Sequence, residues 1–244
     1  MKQLNTLYLT ALLGFTNIDA KPLMTTHVEE LITFKQAIGN SLLRQQYLDN
    51  LLQEEANNTL EWNYFNALKY QHSFEVDGSK PYDLDANDGL YAIFASTDII
   101  GSGMKPICTV YGFAFDRKYV QKKDDFLSLL DNEAFHASHG YNPRVKLKLK
   151  RYNVQQAGMI SKMIRKTEPE FERLSLEILS YDYQFNNIHI GKRKVSSSLL
   201  KAVLPAYEKL YNKFQTESSS ETWKGHFARL ILDSLKVRPS MFKK

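Results

Sequence analysis

The chain has 244 residues, of which 43% are hydrophobic and 24% are charged, and its formal net charge is +5. These values exclude a largely disordered chain and allow one large or two small domains with a self-sufficient core. The single cysteine, Cys108, excludes an internal disulfide. No segment reaches the roughly 18 consecutive apolar residues of a membrane span, so we expect none in the mature chain.

Charge is distributed unevenly along the chain. Residues 1–120 contain nine Lys and Arg against fourteen Asp and Glu, whereas residues 121–244 contain twenty-three against thirteen. The two halves therefore carry formal charges of −5 and +10. Such asymmetry steers an anionic partner to the C-terminal half, or it lets the two halves attract each other.

Residues 1–20 have the pattern of a cleaved export signal. Lys2 precedes the mostly apolar segment Leu4–Phe15, and small residues lead to Ala20. This pattern predicts a periplasmic or secreted protein with a single domain over residues 21–244. The alternative is a first amphipathic helix that Gly14 ends, in which case the protein would be cytoplasmic.

The next segment predicts a helical pair. The sequence Thr26-His-Val-Glu29 has the form of a capping box, and apolar residues at helical spacing extend a helix from His27 to Glu55. A second helix is expected where Trp62, Phe65 and Leu68 share one face.

Three stretches then predict strands. Leu90–Ala95 is apolar on both faces, and Ile107–Phe115 alternates, so we expect these two to pair as a hairpin. Val145–Tyr152 alternates apolar residues with lysines, which is typical of a strand with one wet face.

The longest run with a two-residue period is Phe171–Ile190. Its alternation slips by one residue at Ile178–Leu179, which predicts a bulge in a long central strand. The alternative is a helix, because Phe171, Leu174 and Ile178 also fit helical spacing.

The remaining segments predict helices. One begins at Asp124-Asp125 and ends between His136 and Gly140, and residues 153–166 form a short helix or an irregular excursion. Two C-terminal helices follow, the first capped by the serines at 196–198 and the second over Glu221–Lys236. Together these elements predict an α+β fold, in which an N-terminal helical pair and the C-terminal helices accompany a mixed or antiparallel sheet of about four strands.

One helix carries residues with the spacing of metal ligands. Glu133, His136 and His139 lie three residues apart and would share a helix face, so they predict a metal site. The alternative is a solvated helix end with imidazoles near the negative end of the helix dipole. The sequence contains no phosphate loop, dinucleotide fingerprint or nucleophile elbow, so no cofactor is expected.

The predicted basic strand suggests a binding surface. Lys146, Lys148 and Lys150 would project from one face about 6.6 Å apart, a spacing that can follow a row of acidic groups. Other basic residues would extend this surface, namely Arg144, Arg151, Lys192, Arg193 and Lys194. The alternative is an edge strand that its lysines protect from aggregation.

These features favour an exported, non-enzymatic interaction or accessory protein that presents a basic sheet face to an acidic partner, either a protein or an acidic polymer. Two alternatives stay open: a cytoplasmic nucleic-acid-binding protein, and a metal-dependent hydrolase built around His136 and His139.

Overall fold

The computed structural model describes residues 32–57, 73–77, 95–98, 107–141 and 150–243. They belong to one compact unit, Ile32–Lys244, and form a helical fold. The predicted α+β fold is therefore wrong. The expected export signal at residues 1–20 and the second helix of the N-terminal pair lie outside the described residues.

The described part begins with a broken helix. Helix α1 covers Phe34–Gly39, a 3-10 turn covers Ser41–Leu43, and α2 covers Arg44–Asn57. The sequence predicted one continuous helix here. Asn40 interrupts it, because its backbone is extended and its side chain accepts a hydrogen bond from the Leu42 amide.

The described residues contain three short strands, β1 (Ser73–Asp77), β2 (Ala95–Asp98) and β3 (Ile107–Tyr111). The central strand β3 pairs parallel with β1 and antiparallel with β2. β3 is shorter than predicted because a 3-10 turn begins at Gly112.

The other predicted strands are only partly described. Ala95, the last residue of the predicted strand Leu90–Ala95, begins β2 and pairs antiparallel with β3, as the predicted hairpin requires. Most of Leu90–Ala95 and residues 145–149 lie outside the described part, and residues 150–152 form a bend instead of a strand. Among the described residues, the sheet has three short strands beside a helical core, and the predicted long strand over Phe171–Ile190 is not part of it.

Five helices form most of the described C-terminal part. They are α3 (Lys123–Tyr141), α4 (Val154–Thr167), α5 (Pro169–His189), α6 (Ser197–Ser218) and α7 (Trp223–Ser234). A final 3-10 turn covers Pro239–Phe242. The helices predicted around α3, α6 and α7 are confirmed, and the ambiguous segment 153–166 is helical.

Helix α5 corrects the prediction of a long strand over Phe171–Ile190. Pro169 occupies the first turn, and Phe171, Ile178 and Phe185 are buried at helical spacing. The phase slip at Ile178–Leu179 is a consequence of helical periodicity, and there is no bulge.

Polar side chains join α3 to α5, and we call this contact the polar seam. Gln184 Nε2 donates to Ser128 Oγ at 3.2 Å, and Asn132 Nδ2 donates to Ser180 Oγ at 2.9 Å. Because later residues of α3 contact earlier residues of α5, the two helices run antiparallel. Hydrogen bonds between specific side chains fix their register, which apolar packing alone would specify less strictly.

The C-terminal segment closes over the core. Asp182 Oδ1 on α5 accepts hydrogen bonds from the amides of Lys236 and Val237, and the Tyr207 hydroxyl donates to the Val237 carbonyl. Phe185 stacks on Tyr207 with ring centroids 5.0 Å apart. These contacts hold α5, α6 and the end of the chain together. In the described part, no helix combines the length and apolarity needed to cross a bilayer.

Candidate functional site

The strongest charge feature of the chain is a stretch without acidic residues. Residues 134–167 contain eight Lys and Arg and no Asp or Glu. The structure describes residues 134–141, which end α3 and contain no Lys or Arg, and residues 150–167, which comprise a bend and helix α4. The five Lys and Arg residues in 150–167 are all exposed, namely Lys150, Arg151, Lys162, Arg165 and Lys166.

Helix α4 has one buried and one solvent-facing side. Ala157, Ile160 and Ile164 are buried against the core. At 3.6 residues per turn, the opposite side is centred on Lys162 and Lys166. We call this opposite side the basic face; its exposed residues are Gln155, Gly158, Met159, Lys162, Arg165 and Lys166.

A reciprocal cap begins the helix that carries the basic face. The Asn153 side chain accepts a hydrogen bond from the Gln156 amide at 2.8 Å, and the Gln156 side chain accepts one from the Asn153 amide at 3.0 Å. Arg165 and Lys166 occupy the last turn, where positive charge offsets the negative end of the helix dipole. Part of the charge therefore stabilises the helix itself, and Arg165 also pairs with Glu172 at 3.0 Å.

Helix α7 anchors the residues that precede α4. Arg151 Nε lies 2.8 Å from Asp233 Oδ2, and the Tyr152 hydroxyl lies 3.0 Å from His226 Nδ1. Arg229 Nε also donates to the Tyr152 hydroxyl at 3.3 Å. These contacts place the start of α4 on a rigid support, so the basic face is presented in a fixed orientation.

The predicted basic strand is only partly described. Arg144, Lys146 and Lys148 lie outside the described residues, and their place in a binding surface stays a prediction. Lys150 is exposed, whereas Arg151 is exposed but paired with Asp233.

The second predicted basic cluster divides into exposed and buried residues. Lys192 and Lys194 are exposed, but only 5% of Arg193 is accessible. Arg193 donates to Asp131 through Nε and Nη2 and to Glu55 through Nη2. It joins α2 and α3 to the loop after α5, so it serves the fold and is not available to a partner.

The three predicted metal ligands lie on α3. Glu133 is buried, and His136 Nε2 lies 3.5 Å from Glu177 Oε2 on α5, which makes this pair part of the polar seam. The His139 side chain lies outside the described part. Within the described residues there is no group of three or more side chains suited to hold a metal ion. The metal site with His139 thus stays a prediction.

The environment of His136 also shifts two pKa values. Burial disfavours the charged imidazole, but the hydrogen bond and charge of Glu177, together with the charge of Glu133, raise the pKa of His136 above its ordinary value. Burial likewise opposes the charged form of Glu177, but His136 and Arg173 lower the pKa of Glu177. Both shifts favour an ion pair across the seam.

Comparison of the chain with protein-family models, curated proteins and solved structures finds no match. Function must therefore be argued from the residues of the site. The sequence pattern located basic residues near α4 but missed the basic face itself. The signal that could have found it is the absence of acidic residues over 134–167, which does not depend on the choice between helix and strand.

Proposed function

We propose that the protein is a non-enzymatic interaction protein that binds an acidic partner through the basic face of α4. The observation that carries this proposal is the acid-free stretch at residues 134–167, whose described Lys and Arg residues are all exposed.

The spacing of the charges supports cooperative attraction. Lys162 and Lys166 are one helical turn apart, about 6 Å along the axis, which is shorter than the screening length of about 8 Å at physiological salt. Their potentials therefore add for an approaching anion. The +10 charge of residues 121–244 strengthens this field and would accelerate the encounter with an acidic partner.

Export is a second part of the proposal. It is supported by Lys2, the apolar segment Leu4–Phe15 and the small residue Ala20. N-terminal sequencing of the protein recovered from its native cells tests this part. A start at Lys21 is the expected result, and an intact Met1 would contradict export and favour a cytoplasmic protein.

Binding to poly-L-glutamate at low salt tests the basic face. We expect the wild-type chain to bind this probe and to lose affinity as salt rises. The double substitution Lys162→Gln/Lys166→Gln should weaken binding by roughly tenfold, about 1.4 kcal/mol.

The matched control is Lys201→Gln/Lys213→Gln, which removes the same charge from exposed positions of α6. It should bind within about twofold of the wild type, because screening limits the reach of distant surface charges. Equal weakening in both variants would mean that only net charge matters. That result, or no binding by the wild type, would contradict the proposed site.

A further inference from the structure

We infer that the acidic partner is an amphipathic helix of another protein, which packs lengthwise on α4 and approaches it most closely at Gly158. This inference rests on the proposed function and specifies the chemistry of the partner. Besides charge, three properties of α4 support it. They are a glycine that the packing of the described fold does not require, exposed apolar side chains, and the length of the helix.

Gly158 lies in the interior of α4 and is exposed. A Cβ atom added there meets no described atom within 4 Å, and the residue has no positive φ. Glycine in a helix interior costs about 1 kcal/mol relative to alanine. No packing or backbone requirement in the described part accounts for this cost, whereas close approach by a partner backbone would.

Gly225 on α7, by contrast, is a glycine that the packing of the fold requires. A Cβ atom added to Gly225 would collide with the Ser220 carbonyl and lie 2.9 Å from the Glu217 carbonyl oxygen. The turn between α6 and α7 therefore requires glycine at that position. Gly158 differs from Gly225, because a Cβ atom at position 158 would project into open space and not into the fold.

Two apolar side chains on or beside the basic face are exposed. Val154 is 77% exposed and Met159 is 50% exposed. Both flank the row formed by Lys162 and Lys166 when α4 is viewed along its axis. A phosphate backbone gains nothing from such side chains, whereas the apolar side of an amphipathic helix does. Methionine in particular adapts to the shape of a helical partner.

The dimensions of α4 fit a helical partner. Its 14 residues span about 21 Å, which is enough for about four turns of a second helix. Helix pairs pack with their axes about 8 to 10 Å apart, and small residues at the contact permit the shorter distance. The partner would place apolar side chains over Gly158 and Met159. Glutamates or aspartates one turn apart would then pair with Lys162 and Lys166.

A displayed library of random 16-residue peptides is the probe that tests this inference. The library is selected on the full wild-type chain, and the enriched peptides are synthesised and titrated against variants. The informative variant is Gly158→Leu, which fills the point of closest approach. Because an added Cβ atom meets no described atom within 4 Å, Gly158 is exposed and leucine favours helix, this variant should fold with an unchanged or raised Tm.

The expected result is enrichment of peptides with acidic residues and apolar residues at helical spacing. These peptides should bind Gly158→Leu at least tenfold more weakly than the wild type, and they should also lose affinity with Lys162→Gln/Lys166→Gln. The Lys201→Gln/Lys213→Gln control should bind them like the wild type.

Three results would overturn the inference. If the peptides bind Gly158→Leu and the wild type equally well, the partner does not pack closely at Gly158 and the inference is wrong. The proposed basic site would still stand if Lys162→Gln/Lys166→Gln binds poly-L-glutamate more weakly than the wild type. Failure to enrich acidic peptides would reject a helical protein partner. The partner would be a nucleic acid instead if a duplex DNA of about 16 base pairs bound through the same lysines more tightly than any selected peptide.

Discussion

Arg193 places its guanidinium against the buried carboxylate of Asp131, with Nε and Nη2 each donating to one carboxylate oxygen at 3.1 Å. Glu55 accepts a third hydrogen bond from Nη2 at 2.9 Å. Through these contacts one side chain links α2, α3 and the loop between α5 and α6. Burial raises the pKa of the Asp131 carboxyl, although the hydrogen bonds and charge of Arg193 act in the opposite direction.

Loss of either partner of this pair should destabilise the fold strongly. Asp131→Ala removes two hydrogen bonds and the neighbouring negative charge from the buried Arg193 guanidinium, so we expect the free energy of unfolding to fall by about 3 to 5 kcal/mol. Urea denaturation followed by circular dichroism measures this change. A loss below about 1 kcal/mol would mean that the pair does not hold the helices together.

An exposed ion pair of the same chain supplies the control. Lys123 and Glu54 lie 2.7 Å apart, but both side chains are about half exposed. Lys123→Ala should therefore change the free energy of unfolding by no more than about 1 kcal/mol. A loss as large as that of Asp131→Ala would contradict the role assigned to burial.

The His136–Glu177 pair should make stability depend on pH. The folded-state pKa of His136 is raised, so its contribution is complete below the unfolded pKa of about 6.5 and is lost as the pH rises through the folded pKa. Glu177 has a lowered pKa, and its contribution is lost only as the pH falls through that value. The pair is therefore strongest near pH 5.5.

Comparison of the wild type with His136→Gln tests this dependence. The wild type should be more stable by about 1 kcal/mol near pH 5.5, and this advantage should shrink toward pH 8.5. In a Glu177→Gln background the pH dependence should diminish, because the main partner of the imidazolium is gone. An advantage that grows as the pH rises would show that His136 acts as a neutral side chain.

Two glycine substitutions should act in opposite directions. Gly158→Ala should raise the free energy of unfolding by up to about 1 kcal/mol, because alanine favours helix and the site is open. Gly225→Ala should lower it by about 1 to 3 kcal/mol, because the added Cβ collides with the turn between α6 and α7. Thermal and urea denaturation of both variants measures the difference. A destabilised Gly158→Ala variant would mean that this glycine has an internal role after all.

Local signals identified some of the helices. Asp124 and Asp125 mark the first turn of α3, and Ser196 caps α6 as expected. These signals depend only on neighbouring residues. They remain valid whatever the rest of the chain does.

The largest error concerned α5, because its buried side includes polar residues. Ser175 and Asp182 are buried at helical positions between Phe171, Ile178 and Phe185, and they interrupt the apolar pattern that identifies a helix. Asp182 is satisfied by backbone amides near residue 236, which are distant in sequence. A single sequence cannot reveal such a partner. The polar residues on the buried side were therefore assigned to a solvent-facing side, and the alternation was interpreted as a strand.

The same limit applies to the candidate site. Arg193 stands between the exposed Lys192 and Lys194, and nothing in this local pattern distinguishes the buried cation from its neighbours. Its partner Asp131 lies 62 residues earlier in the chain. By contrast, the positive charge around α4 was readable from composition alone, although its helical arrangement was not.

Lysine acetylation footprinting with and without poly-L-glutamate tests the basic face most directly. In the complex, Lys162 and Lys166 should react at least severalfold more slowly, because bound carboxylates cover their ammonium groups. Lys201 and Lys213 on α6 should react at unchanged rates. Equal protection of all four lysines, or protection confined to α6, would contradict a binding site on α4.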